Sequence, residues 1–165
     1  MGFGGRAMTT SLVLYGTLGV LSTALAFFAN RRLFVTGGAG RVSLLECLYY
    51  VFGVVSLGLG WYFNVRYVHQ YGHEATYVGY TKALFSNWAS DSAAQDYIMV
   101  NVILFPLWSI TDGRRRGVRI PWVFFVMSLF TSLAFAVAFY LAFVERQIRY
   151  SRAEPAASST SYPQL

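Results

Sequence analysis

The sequence predicts an all-α integral membrane protein: a bundle of four membrane-spanning helices with an interfacial helix in the second loop. Of the 165 residues, 56% are hydrophobic and only 12% are charged, about half the charged fraction of a typical soluble domain. Residues 120 to 144 carry no charge. A helix of that length rises about 37 Å, which exceeds a hydrocarbon core of about 30 Å. Arginine-rich loops separate this run from other apolar segments.

Four apolar segments are expected to span the membrane as a single domain. The predicted domain covers residues 1–150, and the predicted spans are residues 8–30, 43–65, 92–111 and 120–144. Two spans follow a capping-box pattern, Ser43-x-x-Glu46 and Ser92-x-x-Gln95. In this pattern the hydroxyl accepts a backbone N–H while the later side chain bonds back to the helix start.

The second loop is predicted to contain a helix, and the tail is predicted to be disordered. Aromatic and apolar residues after Glu74 fall on one helical face, which predicts a helix lying at headgroup level. His69 and His73 are four residues apart and could share a helix face, as metal ligands do. No third ligand accompanies them, so we expect no metal site and no cofactor. Residues 151–165 are rich in Ser, Ala and Pro, and we expect a disordered tail.

Two carboxylates, Glu46 and Asp96, lie at the starts of predicted spans. An acid within the membrane is a functional candidate by default. Each falls near a predicted cap, however, where the helix dipole favours an anion, so we expect helix-start roles. The alternative is a membrane-embedded enzyme for a lipid or isoprenoid, using Asp96 with Asp91 and a histidine. Because the chain has no GxSxG, HExxH or paired-cysteine motif, we assign no catalytic residue.

Small and polar side chains in the apolar segments predict helix packing. The stripes that allow close approach of another helix are Gly16, Gly19, Thr23 and Ala26 in the first segment, and Ser128, Ser132 and Ala136 in the fourth. Pro106 predicts a kink, and Asn101 needs a hydrogen-bond partner on another helix. Such stripes serve either packing within the bundle or docking to another subunit, and both interpretations stay open.

The net charge of +6 is concentrated in loops. We expect Arg114, Arg115, Arg116 and Arg119 to anchor orientation and to contact anionic lipid headgroups. Four spans would place both termini on one side of the membrane. The side with both termini and the second loop would then carry six basic residues, and the side with the first and third loops would carry seven. These numbers do not decide the orientation, but the higher density of basic residues in the two short loops favours those loops as cytoplasmic.

The pattern of basic residues and the cysteine count bear on nucleic-acid binding and on disulfide formation. No basic stripe with interleaved aromatics is present, so we expect no nucleic acid partner. Cys47 is the single cysteine, which excludes an internal disulfide. Because it lies in an apolar run, we expect an inert buried thiol.

The second half of the chain carries an ordered set of short motifs. They are Phe85-x-Asn87, Ala93-Ala94 with Asp96, Asp112-Gly113-Arg114-Arg115, Trp122, Ser132-Leu133-Ala134-Phe135, Phe139-x-Leu141 and Glu145-Arg146. Over residues 84–146 this order resembles small four-helix bacterial membrane proteins catalogued as a domain of unknown function. The chain departs from that pattern in having Asp112 where Glu is expected and no proline near Val137. The resemblance implies a fold and no mechanism.

In size and layout the chain is also similar to a small accessory subunit associated with actinobacterial Mce-type lipid importers. The working hypothesis is therefore a non-catalytic accessory subunit, multi-pass in the bacterial inner (plasma) membrane. Its expected partners are other integral membrane subunits, such as the permease of a lipid transporter, together with membrane lipids. The membrane enzyme described above is the alternative.

Overall fold

A computed structural model of the chain describes residues 3–35 and 40–159, and within these residues all regular structure is helical. The α-helices are α1 (Phe3–Ala29), α2 (Leu44–Tyr71), α3 (Tyr77–Leu84), α4 (Trp88–Ile98), α5 (Phe105–Arg116), α6 (Trp122–Phe130) and α7 (Leu133–Ser159). A π-helical segment, Met99–Leu104, joins α4 and α5 into one continuous helix. The predicted all-α fold is confirmed.

Three helices are long and apolar enough to cross a membrane: Leu12–Ala29, Leu44–Tyr71 and Trp88–Arg116. They correspond to the first three predicted spans. We call the end of the bundle where α1 and α5 finish and α2 begins the arginine end. The opposite end, where α2 finishes and α4 begins, is the distal end.

The fourth predicted span is not one helix, because it is interrupted at Thr131 and Ser132 between α6 and α7. Just before α6, Arg119 N–H donates to Asn30 Oδ1 (2.8 Å), and Asn30 Nδ2 donates to the Arg119 carbonyl (3.0 Å). On α7, Arg146 Nε donates to the carbonyl of Leu33 (2.7 Å). Asn30 and Leu33 directly follow α1, so the hairpin formed by α6 and α7 enters and leaves at the arginine end.

The tip of this hairpin lies halfway along the spanning helices. A Cβ placed on Gly19 would lie 2.9 Å from Thr131 Cγ2, and Gly19 precedes Asn30 by about 16 Å of helix. Ser132 Oγ lies 3.2 Å from Ser56 Oγ in the middle of α2. A rise of about 16 Å is about half the thickness of a hydrocarbon core of about 30 Å. Residues 120–144 form a hairpin of two helices, and the predicted fourth span is not confirmed.

This topology also corrects the predicted placement of the termini. Helix α1 begins at the distal end, whereas α7 leaves the bundle at the arginine end. An uncharged run of sequence has the length to cross a membrane, but it equally suits a helical hairpin buried inside the protein. Helix α7 is such a core helix: Tyr140 and Phe143 are fully buried. Phe124 of α6 packs edge-to-face on both rings, with centroids 5.4 and 5.3 Å apart.

The helix starts were partly predicted. Ser43 caps α2 by accepting the N–H of Glu46 (3.1 Å), as the capping-box pattern predicts. The second predicted box, at Ser92, is wrong. Helix α4 begins at Trp88, one turn earlier, because the side chain of Asn87 accepts the N–H groups of Ala89 and Ser90. An Asn side chain is among the strongest N-caps, and Ser92 is left inside the helix.

The aromatic loop and the tail also contain helices. Helix α3 occupies part of the predicted interfacial segment, and Thr76 caps it by accepting the N–H of Gly79. The tail differs from the prediction, because α7 continues through Ser159 instead of ending near Ser151. Gln147 Nε2 donates to Ser151 Oγ across one turn of this extension (3.1 Å). Residues 160–165 lie outside the described residues.

Candidate functional site: a clamped helical hairpin

The base of the hairpin is fastened by a buried carboxylate. Glu46, in the first turn of α2, is fully buried. Its Oε1 accepts from Arg146 Nη1 at 2.7 Å, and its Oε2 is paired with Arg149 Nη2. Both arginines lie on α7, one turn apart. The capping box predicts that this carboxylate bonds back to the Ser43 backbone. Instead, the carboxylate bridges α2 to α7.

Further groups complete this cluster. The guanidinium of Arg146 stacks over the ring of Phe34, 4.4 Å from its centroid. Glu145 accepts from Ser43 Oγ (3.4 Å) and pairs with Arg149 Nε (3.5 Å). Two acids thus face two arginines, so the cluster is charge-balanced. A buried ion pair survives when each charge is matched in this way.

A second polar contact joins α7 to α5. Arg116 donates through Nε to both oxygens of Asp112, at 2.8 Å each. Tyr140, fully buried on α7, donates its hydroxyl to Asp112 Oδ2 at 2.8 Å. Next to them, a Cβ on Gly113 would lie 2.6 Å from Pro121 Cβ. The glycine therefore lets the chain turn tightly from α5 into the hairpin.

The tip of the hairpin is held by neutral hydrogen bonds. Ser128 Oγ donates to Asn101 Oδ1 at 2.7 Å, and both residues are buried. Asn101 thereby meets the partner on another helix that its burial requires. It lies in the π-helical segment immediately before Pro106. Proline cannot donate a backbone hydrogen bond and crowds the preceding turn. In this helix the preceding turn is the π-helical segment, which lies where Pro106 predicts a kink.

The small residues of α1 pack within the chain. A Cβ on Gly16 would lie 3.0 Å from the ring of Trp61, and Gly19 contacts the hairpin tip. Ala26 is fully buried, and Thr23 donates to the carbonyl of Gly19 (2.8 Å). Ala136 of α7 is likewise fully buried. Of the two interpretations of the α1 stripe, the structure supports packing within the bundle.

Comparison with known proteins gives a family and no function. The family model described as "Protein of unknown function DUF2834" matches residues 48–146. This is more than half of the chain. The chain belongs to this family. No curated protein and no solved structure matches it.

The match extends further towards the N-terminus than the resemblance over residues 84–146. In this family member the matched segment begins within α2, just after Glu46, and ends at Arg146. It therefore contains the whole hairpin as far as the first arginine of the base cluster. The acid of the cluster lies two residues outside it.

The four arginines predicted to contact lipid headgroups are exposed: Arg114, Arg115 and Arg116 lie in the last turn of α5, and Arg119 lies in the third loop. This loop is tied to the first loop by two contacts. One is the bond pair between Asn30 and the Arg119 backbone, and the other runs from Arg32 Nη2 to the carbonyl of Gly117 (2.8 Å). Gly117 has a positive φ of 79° and ends α5. Arginines distant in sequence are therefore neighbours at this end.

The candidates for acid or metal chemistry lie apart from these clusters. Asp96 is exposed in the interior of α4, where Gln95 bonds its carboxylate, so the predicted helix-start role is wrong. His69 is exposed near the end of α2. His73 falls in a 3₁₀ turn after α2 has ended, so one helix face does not carry both histidines. Among the described residues, no three metal-ligating side chains are grouped.

Proposed function

We propose that this chain is a non-catalytic accessory subunit of a larger assembly in the bacterial inner membrane, and that it docks through the outer face of α2. The supporting observation is a stripe of small and β-branched residues on that face. Cys47, Val51, Val54 and Gly58 follow the spacing of one helical face. All four are exposed, so the expectation of a buried thiol at Cys47 is corrected.

Gly58 is the residue of this stripe with no packing role inside the described chain. A Cβ placed there would meet nothing within 4 Å, in contrast to those on Gly16, Gly19 and Gly53. Glycine inside a helix costs roughly 0.5–1 kcal/mol relative to alanine, and at this position no contact within the described chain offsets that cost. In lipid, a glycine on a spanning helix allows the backbone of another helix to approach closely. A spanning helix of a partner subunit fits this stripe.

The corrected topology supports a definite orientation. The arginine end carries ten of the basic residues: Arg31, Arg32, Arg41, Arg114, Arg115, Arg116, Arg119, Arg146, Arg149 and Arg152. The distal end carries three: Arg6, Arg66 and Lys82. Cytoplasmic loops are enriched in Lys and Arg. The arginine end is then cytoplasmic, and the N-terminus lies on the opposite side.

The role that suits this arrangement is structural support. The hairpin is pinned against α2 at its base and its tip, so α2 presents a fixed outer face to a partner. The assembly to test first is the one suggested by the size and layout of the chain, an Mce-type lipid importer with its permease.

The test is purification in a gentle detergent followed by mass spectrometry of the intact complex. Native protein is expected to emerge with an integral membrane partner, and Gly58→Leu is expected to lose it. Val102→Leu, at an exposed position on the third spanning helix, is the matched control and should keep the partner. A native protein that emerges alone, or a Gly58→Leu variant that keeps its partner, contradicts the proposal. Cross-linking through Cys47 to a second copy would identify self-association instead.

A further inference from the structure

The first loop, the last turn of α5 and the third loop build one basic patch at the arginine end. Its side chains are Arg31, Arg32, Arg114, Arg115 and Arg119. The contacts of Asn30 with the Arg119 backbone and of Arg32 with the Gly117 carbonyl bring the two loops together. We call these five arginines the two-loop patch.

The acids near the two-loop patch are already engaged. Asp112 binds Arg116 through both oxygens and also accepts from Tyr140. Glu46 and Glu145 are held by the arginines of α7. Within the described residues, none of the five patch arginines forms an ion pair with a carboxylate. The patch therefore carries an unbalanced positive charge.

Arg32 is the anchored member of the patch, and the other four arginines are exposed. Its Nη2 donates to the Gly117 carbonyl (2.8 Å) and to Gln147 Oε1 (3.3 Å), and its guanidinium lies over the ring of Tyr150. Its Nε is buried and has no acceptor in the described part of the chain. The group is thus fixed in orientation, and its Nε is closed off from a ligand. The donors open to a ligand belong to the exposed guanidinium groups of the other four arginines of the patch. Guanidinium groups are suited to phosphate oxygens, which they bind in pairs.

The depth of the patch selects the source of the phosphate. The loops follow directly on the ends of α1 and α5, where two membrane-spanning helices finish. Headgroup phosphates lie at that level, and each Lys or Arg near an anionic surface contributes about 1 kcal/mol of attraction. We propose that the two-loop patch binds the phosphate headgroup of an anionic membrane lipid, such as a phosphatidylglycerol.

The experiment is native mass spectrometry of the detergent-purified protein, titrated with phosphatidylglycerol or with phosphatidylcholine. Detergent removes any effect of the arginines on membrane orientation, so only lipid binding is measured. The triple variant Arg114→Gln, Arg115→Gln, Arg119→Gln removes exposed side chains that form no ion pair in the described structure. From the contribution of each arginine, it should weaken phosphatidylglycerol binding on the order of a hundredfold and leave phosphatidylcholine binding unchanged.

A matched control removes the same charge from the distal end through Arg6→Gln, Arg66→Gln and Lys82→Gln. It should bind phosphatidylglycerol like the native protein. Equal losses in both triple variants would overturn the proposal, as would a native protein that does not prefer phosphatidylglycerol over phosphatidylcholine. Displacement of the lipid by millimolar inorganic phosphate would assign the patch to free phosphate instead of a lipid.

Discussion

The base and the tip of the α6–α7 hairpin are held by different chemistry. At the base, Glu46 is fully buried between Arg146 and Arg149. At the tip, hydroxyl groups and one amide form single neutral hydrogen bonds, from Ser128 to Asn101 and between Ser56 and Ser132. Charges suit the headgroup level, where water and lipid phosphates are close. Neutral groups suit the midplane, where a charge is costly.

The difference in chemistry implies a difference in energy. Removing one partner of a buried ion pair destabilises a protein by about 3–5 kcal/mol, because the remaining charge is left uncompensated. Hydrogen bonds between helices in a membrane average about 0.6 kcal/mol, with a maximum near 1.7 kcal/mol. The base should therefore determine the stability of the hairpin, whereas the tip should determine its position against α2 and the π segment.

The largest effect is expected from Glu46→Gln. The variant keeps the volume of the side chain but leaves two arginines against a single acid, Glu145. The free energy of unfolding in detergent should fall by about 3–5 kcal/mol, measured by chemical denaturation. Glu145→Gln is the control, because Glu145 is part-exposed and its ion pair is longer. It should cost less than about 1 kcal/mol. An equal loss in both variants would show that Glu46 is not the main stabilising acid at the base of the hairpin.

Gly19→Leu is expected to have the next largest effect, because it separates α1 from the tip. Even a Cβ would lie 2.9 Å from Thr131 Cγ2 and 3.2 Å from the Phe130 carbonyl. Overpacking of this kind costs about 1–3 kcal/mol, measurable as a lower midpoint of thermal unfolding in detergent. The matched variant is Gly58→Leu, whose Cβ meets no atom of the described chain. If Gly58→Leu lowers the unfolding midpoint of the isolated protein as much as Gly19→Leu does, then α2 is not positioned as in this structure.

Ser128→Ala is expected to cost about 1–2 kcal/mol, since it leaves the buried Asn101 Oδ1 without its donor on α6. Asn101→Leu combined with Ser128→Ala removes both polar partners and should recover part of that loss. A double-mutant cycle on unfolding free energies measures the coupling. Additive losses would mean that the two residues do not interact.

The smallest effect is expected from Ser56→Ala. It removes one part-buried hydroxyl pair with Ser132, which still accepts the N–H of Phe135 as the cap of α7. The cost should be about 0.6 kcal/mol, at the edge of what chemical denaturation resolves. A loss as large as that of Glu46→Gln would reverse the proposed ranking of base and tip.

Much of the outer architecture could be predicted from the sequence, because hydropathy and caps act locally. The first three spans, the cap at Ser43 and the need of Asn101 for a partner all follow from residue type and spacing. Asn87 was missed as the cap of α4 because Ser92 offered a better-known pattern one turn later. Local signals of similar strength compete at a helix start, and tertiary placement decides between them.

The hairpin could not be predicted, because its signals are not local. The break at Thr131 and Ser132 contains neither proline nor glycine, the usual helix breakers. Glu46 and the two arginines of α7 are about one hundred residues apart in sequence. The available signal was a lone acid at the start of one apolar helix and a pair of arginines, one turn apart, at the end of another. Only the fold brings these charges together.

The central claim is that α6 and α7 turn back within the membrane, and cysteine labelling tests it most directly. In a Cys47→Ser background, single cysteines replace Arg115, Ser151 or Trp88, and a membrane-impermeant maleimide is applied to vesicles of each orientation. If α6 and α7 form a hairpin, Ser151→Cys labels from the same side as Arg115→Cys and from the side opposite to Trp88→Cys. Labelling of Ser151→Cys from the side of Trp88→Cys would contradict the hairpin and restore a fourth span.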